Sequence, residues 1–152
     1  MDAIEARVLA FDAAPLIARG LASGALLPYR RFQAYVNIPD LFEQPDPRRC
    51  TCGCGQRLQG RQTRWASKAC AGFGLEVLYI IKGTAATIRH YLELSRGACC
   101  ACCWVIGEPL QVDHIVPVSH GGSGRWLDNY QLLCHDCHTE KTQADKLLKQ
   151  AA

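Results

Sequence analysis

The stretch LCHDCHTEKT, Leu133 to Thr142, packs two cysteines and two histidines into the five positions from Cys134 to His138. Cys134 and Cys137 have the C-x-x-C spacing that lets two thiolates close on one tetrahedral metal ion. The letters that follow, HDCHTEKTQADKLLKQ, read as a closing helix carrying Lys141, Lys146 and Lys149. Working back along the chain, NYQLLC reads as a short strand and SHGGSGRWLD as a loop. QVDHIVPV, from Gln111, reads as an apolar, β-branched strand. The order strand, loop, strand, helix thus brackets the cysteine pair.

Upstream, RGACCACCW offers the same spacing in two frames, Cys99/Cys102 and Cys100/Cys103. Two C-x-x-C pairs about 30 residues apart, one on each side of a hairpin, are a strong zinc signal. A four-thiolate site of this kind is closed, and it stands in for the core that so short a unit cannot build. It leaves Asp113, His114, Asn129 and His138 unexplained. These are oxygen and nitrogen donors, which suit a catalytic divalent ion such as Mg²⁺ or Mn²⁺ with open positions. Strand alternation sends Asp113 and His114 to opposite faces unless the strand bends. Folding the hairpin onto the helix is expected to bring all four near one point. A neutral histidine beside a metal-bound phosphate oxygen is an arrangement for phosphodiester hydrolysis.

The bulk numbers bound the rest. At 152 residues the chain has room for a real core but not for several large domains. No apolar run reaches the ~18 residues of a membrane span. The segment AAPLIARGLASGALLPY, interrupted by Arg19 and following an acidic start, makes a poor signal peptide. A cytoplasmic protein is the expectation. Ten cysteines, clustered at short spacing around histidines, then favour metal over disulfides. The net charge of +3 is unevenly spread. Residues 48–75 hold Arg48, Arg49, Arg57, Arg61, Arg64 and Lys68 with no acid, which suits a polyanion such as nucleic acid.

Residues 1–47 read as a mostly helical or irregular region of unknown role. Ile4, Val8, Leu9, Phe11, Leu16 and Ile17 supply its apolar positions, with Pro15 and Gly20 as interruptions. LLPYRRFQAYVNI is a second amphipathic patch, and PDLFEQPDPRR reads as a linker. Residues 48–74 form a basic, cysteine-rich knuckle, in which Cys50, Cys52, Cys54 and Cys70 are candidates for a second zinc ion. Residues 75–96 read as a connecting helix, with Leu75, Leu78, Tyr79, Ile88, Tyr91 and Leu92 toward a core and Gly83 as a weak point or break. Residues 97–152 complete the chain. Trp104, Trp126 and Tyr130 read as core or loop anchors, His120 as a substrate-facing or solvated loop residue, and His135 as an exposed knuckle residue.

VDHIVPVSHGG…LDNYQLLCHDCHTEKT closely resembles the HNH endonuclease family, in its four-cysteine zinc branch, over Gly97 to Thr142. The resemblance implies an α+β fold: a ββα-metal nuclease core with a structural four-cysteine zinc site, preceded by the helical region and the knuckle. It selects the frame of Cys100 and Cys103, with Cys134 and Cys137, as zinc ligands. It implies that His114 is the general base and that Asp113 and His138 hold a catalytic Mg²⁺ or Mn²⁺ ion. Asn129 either ligates that ion or orients His114. The implied reaction is hydrolysis of double-stranded DNA to 5′-phosphate and 3′-hydroxyl ends, in a bacterial or phage-infected cell. Arg57, Arg61, Arg64, Lys68, Arg125 and Lys141 are the expected phosphate contacts. One such site cuts one strand at a time, so a double-strand break would need a homodimer or two encounters. The alternative is a catalytically silent zinc module that binds nucleic acid. CGQRLQGRQTRWAS also resembles a short cysteine knuckle found ahead of some phage and bacterial HNH domains, with Ala66 where that knuckle often has a cysteine.

Overall fold

A computed structural model of the chain describes residues 2–28, 42 and 46–151. The second amphipathic patch and the proline-rich linker lie largely outside the described residues. The chain divides into two compact units, Met1–Thr84 and Ala85–Ala152. Among the described residues no single helix is long and apolar enough to cross a membrane.

In the first unit, α1 (Ala3–Leu9) starts at a capping box. The Asp2 carboxylate accepts from the Ile4 and Glu5 amides, and Glu5 accepts from the Asp2 amide at 2.7 Å. Helix α2 (Ala14–Ala22) holds Pro15 in its first turn, where a missing N–H costs nothing. Pro15 therefore begins a helix instead of interrupting one, and Gly20 is buried inside it. Residues 48–58 turn back on themselves, with the Cys50 amide donating to Gln56 O and the Leu58 amide to Arg48 O. Helix α3 (Lys68–Lys82) begins at Ser67, whose hydroxyl accepts from the Cys70 amide, and stops at Gly83 in the left-handed region. Its buried stripe is Cys70, Phe73, Gly74, Val77, Ile80 and Ile81. Leu75 and Tyr79, expected in the core, are each 42% exposed. The helix begins seven residues earlier than the expected start at residue 75, and Cys70 sets its phase.

The second unit opens with α4 (Ala85–Arg96), so the expected connecting helix is two helices separated at Gly83. Strands β1 (Gln111–His114) and β2 (Tyr130–Leu133) pair antiparallel, with Asp113 opposite Gln131 and His114 opposite Tyr130. Helix α5 (His135–Ala151) closes the unit. Its core joins Ile88 and Leu92 of α4 to Leu110, Tyr130, Leu132, Leu133, Cys100 and Cys134. A two-stranded hairpin is too small to be stable alone. Here α4 covers it with two buried aliphatic side chains, each contributing about 2 kcal/mol of apolar burial. The cysteine cluster supplies the rest of the packing.

Candidate active site

Cys100, Cys103, Cys134 and Cys137 bring their sulfur atoms within 4.8 Å of one another. Cys103 and Cys134 are 3.7 Å apart, against the ~3.8 Å that four sulfurs about 2.3 Å from a tetrahedral zinc ion require. Disulfide bonds are about 2.05 Å long, and all ten cysteines are free thiols. The upstream knuckle is built by backbone: the Cys100 amide donates to Val105 O and the Trp104 amide to Cys100 O, while Ala101 N–H reaches Leu132 O on β2. Burial pushes the Cys100 thiol up, but the backbone amides of Cys103, Cys134 and Cys102 outweigh it and bring the pKa down to about 6. The cluster could hold zinc. Cys99 and Cys102 lie outside it. Trp104, expected as an anchor, projects at 71% exposure from a turn with φ 63°.

Cys137 is followed by His138, one turn into α5, and this turn carries the second group of donors. His138 Nε2 lies 3.9 Å from Asp113 Oδ1. Octahedral ligands about 2.1 Å from one ion stand about 3.0 Å apart when adjacent and about 4.2 Å when opposite, so the pair lies between these spacings and would share a Mg²⁺-sized ion after a side-chain adjustment. Two further side chains fix the carboxylate: Gln131, which sequence reasoning missed, and Lys141, expected beside the metal as a phosphate contact. Gln131, its cross-strand neighbour, donates to Asp113 Oδ2 at 3.0 Å. Lys141 Nζ lies 3.3 Å from the same oxygen and 2.6 Å from Asp145 Oδ2. Burial lowers the Lys141 pKa, but Asp145 and Asp113 overcome it and raise the pKa on balance. Lys141, expected to meet phosphate, is thus the internal partner of two carboxylates. The i, i+4 spacing of Lys141 and Asp145 was the available signal.

His114 sits on the other face. The ladder is regular to the end of β1, so alternation separates His114 from Asp113. Its ring packs on Tyr130, with centroids 4.5 Å apart and planes tilted by 40°. Tyr130 is buried and donates its hydroxyl to Gly124 O at 3.0 Å, so the surface beneath the imidazole is fixed. Nε2 of His114 is buried, although the residue as a whole is partly exposed.

Asn129 belongs to the loop. Its Oδ1 accepts from the Val116 amide at 3.0 Å, and its Nδ2 donates to Val116 O at 3.0 Å and Ser123 O at 2.7 Å. The Asn129 carbonyl also accepts from Ile115 N–H, one residue past His114. The amide is therefore a staple across the loop, holding the backbone that follows His114. Gly122 makes this closeness feasible: a Cβ there would stand 1.9 Å from Val116 O. Of the four residues expected near one point, each has its own setting in the structure. Asp113 and His138 meet, His114 lies across the strand, and Asn129 fixes the loop.

Arg125, expected as a phosphate contact, is 1% exposed. The Ser123 hydroxyl accepts from the amides of Arg125 and Trp126, and this turn carries Gly124 and Arg125 inward. Arg57, Arg61 and Lys68 in the first unit are exposed and Arg64 is half-buried. Cys50, Cys52, Cys54 and Cys70 form a second four-sulfur group within 4.8 Å, which could also hold zinc.

Residues 99–144 match the model of the HNH endonuclease family. A stretch of 36 residues is 62% identical to the DNA annealing helicase and endonuclease ZRANB3 of Bos taurus. That match covers 24% of this chain and 3% of the length of that protein. No solved structure matches the chain. The hairpin, the helix that follows it, the four clustered cysteines and the family match agree: residues 99–144 are an HNH endonuclease domain.

Proposed function

We propose that the chain is a metal-dependent endonuclease that hydrolyses DNA phosphodiester bonds to 5′-phosphate and 3′-hydroxyl ends. The observation that carries this reading is the approach of Asp113 to His138 beside the cysteine cluster, with Gln131 and Lys141 fixing the carboxylate. The family match over these residues supports it, and the name of the 62% identical relative supports DNA as the substrate.

In this reading Asp113 and His138 hold one Mg²⁺ or Mn²⁺ ion. Such an ion supplies positive charge to a phosphate oxygen and to the departing 3′ oxygen. His114 is the general base. In-line displacement places the entering and leaving oxygens on opposite sides of phosphorus. A phosphate seated at the end of β1 meets that requirement, because Asp113 and His114 approach it from opposite faces of the strand. Tyr130 keeps the imidazole plane fixed, and Asn129 holds the backbone beyond it. The closed four-thiolate site on Cys100, Cys103, Cys134 and Cys137 is structural, and it aims His138. Arg57, Arg61, Arg64 and Lys68 add contacts to backbone phosphates, which raise affinity without reading sequence. One site cuts one strand, so a double-strand break takes a dimer or two encounters.

The test is cleavage of supercoiled plasmid in Mg²⁺, Mn²⁺ or EDTA by the wild type, Asp113→Asn and His138→Ala, with zinc content measured for each. Metal-dependent nicking that both substitutions abolish, at unchanged zinc content, supports the reading. A zinc-loaded wild type that leaves plasmid, linear duplex and single strands intact overturns it.

A further inference from the structure

The first unit contains a group of side chains that the nuclease reading does not use. Cys50, Cys52 and Cys70 are buried and Cys54 is exposed, and their four sulfurs lie within 4.8 Å of one another. The Cys50–Cys52 and Cys54–Cys70 separations are 3.3 and 3.8 Å. Those distances are too long for disulfides; the second equals the ~3.8 Å of sulfurs around tetrahedral zinc and the first is shorter. Three cysteines at alternate positions reach one point only if the backbone coils tightly. Gly53 and Gly55, each at φ +77°, provide that coil where a side chain would be strained. Cys70 arrives from the first turn of α3, positioned by the Ser67 cap. The Ala66 amide donates to Cys50 Sγ at 3.3 Å, as backbone amides do to thiolate ligands.

Four thiolates around Zn²⁺ carry a net charge near −2, and burying that charge is costly without a nearby cation. Arg7 of α1 packs on the helix that carries Cys70: its guanidinium lies 4.1 Å above the Phe73 ring of α3.

We propose that Cys50, Cys52, Cys54 and Cys70 bind a structural zinc ion that organises the unit Met1–Thr84. This site is independent of the HNH domain and of any nuclease activity. The unit is then a metal-built element that presents Arg57 and Arg61 on a loop fixed by the ion and Lys68 at the start of α3.

Zinc stoichiometry of the full chain tests it, with zinc alone as the probe. The expected values are two ions per wild-type chain, one in Cys54→Ser and one in Cys103→Ser. One ion in the wild type, unchanged by Cys54→Ser, overturns the proposal. Should Cys54→Ser fail to fold, Co²⁺ titration of the metal-free wild type replaces it. Two equivalents with tetrahedral thiolate absorption are expected, and saturation at one equivalent overturns it.

Discussion

Replacing Asn129 separates two roles that a side-chain amide could have in this site. In the structure it makes three hydrogen bonds, at 3.0, 3.0 and 2.7 Å, all to the backbone of Val116 and Ser123. Each is worth about 0.5–1.5 kcal/mol net, and water can replace part of the loss because the loop is partly exposed. Asn129→Ala should therefore cost about 2 kcal/mol in a urea unfolding titration. Asn129→Asp is the sharper variant. One carboxylate oxygen can still accept from the Val116 amide, but the other would face the carbonyls of Val116 and Ser123 with no proton to offer. Asp should thus be at least as damaging as Ala to stability, and cleavage should fall with it. Mn²⁺ affinity, read by calorimetry, should stay within about twofold, since Asp113 and His138 are untouched. Were Asn129 a metal ligand, aspartate would be the better one. An Asn129→Asp protein that cleaves like the wild type and binds Mn²⁺ more tightly would refute the staple.

Three other outcomes are expected. Gly122→Ala places a Cβ 1.9 Å from Val116 O and 3.0 Å from Asn129 Nδ2, so the loop must move; a loss of about 1–3 kcal/mol is expected in the same titration, together with lost cleavage. Stripping the chain of zinc with a strong chelator should unfold the hairpin and α5, because Cys100 and Cys134 are part of the core; circular dichroism with zinc re-addition checks this, and an unchanged spectrum would count against it. Replacing Arg57 and Arg61 by Ala together should weaken DNA binding similarly for unrelated sequences. It should also reduce the slope of log affinity against log salt by about 2, measured by fluorescence anisotropy.

The hairpin–helix order was legible because thiolate spacing is rigid. A C-x-x-C on each side of two short strands leaves few ways to close a four-sulfur site, and that constrains where α5 begins. The opposite faces of Asp113 and His114 followed from strand alternation alone. What the letters could not carry was the loop between the strands. Asn129 and Gly122 act through backbone atoms, which have no sequence signature, and Arg125 looks like any surface arginine until the Ser123 turn carries it inward. The phase of α3 was hidden for a different reason. Its buried stripe begins at Cys70, a residue that reads as a metal ligand and not as a core position, so Leu75 and Tyr79 were assigned to the wrong face. Lys141 shows the same limit in electrostatics: its i, i+4 partner was visible, but its contact with Asp113 depends on how α5 docks on β1.

The most direct test of the account is a comparison of the wild type with His114→Ala, following plasmid nicking, zinc content and Mn²⁺ binding on the same preparations. Nicking should fall by at least about a hundredfold in the variant, the lower bound of a general base's contribution, while zinc and Mn²⁺ binding remain those of the wild type. His114→Ala protein that is folded, metal-replete and still nicks DNA at the wild-type rate would contradict the assignment of the base, and with it the mechanism built on the two faces of β1.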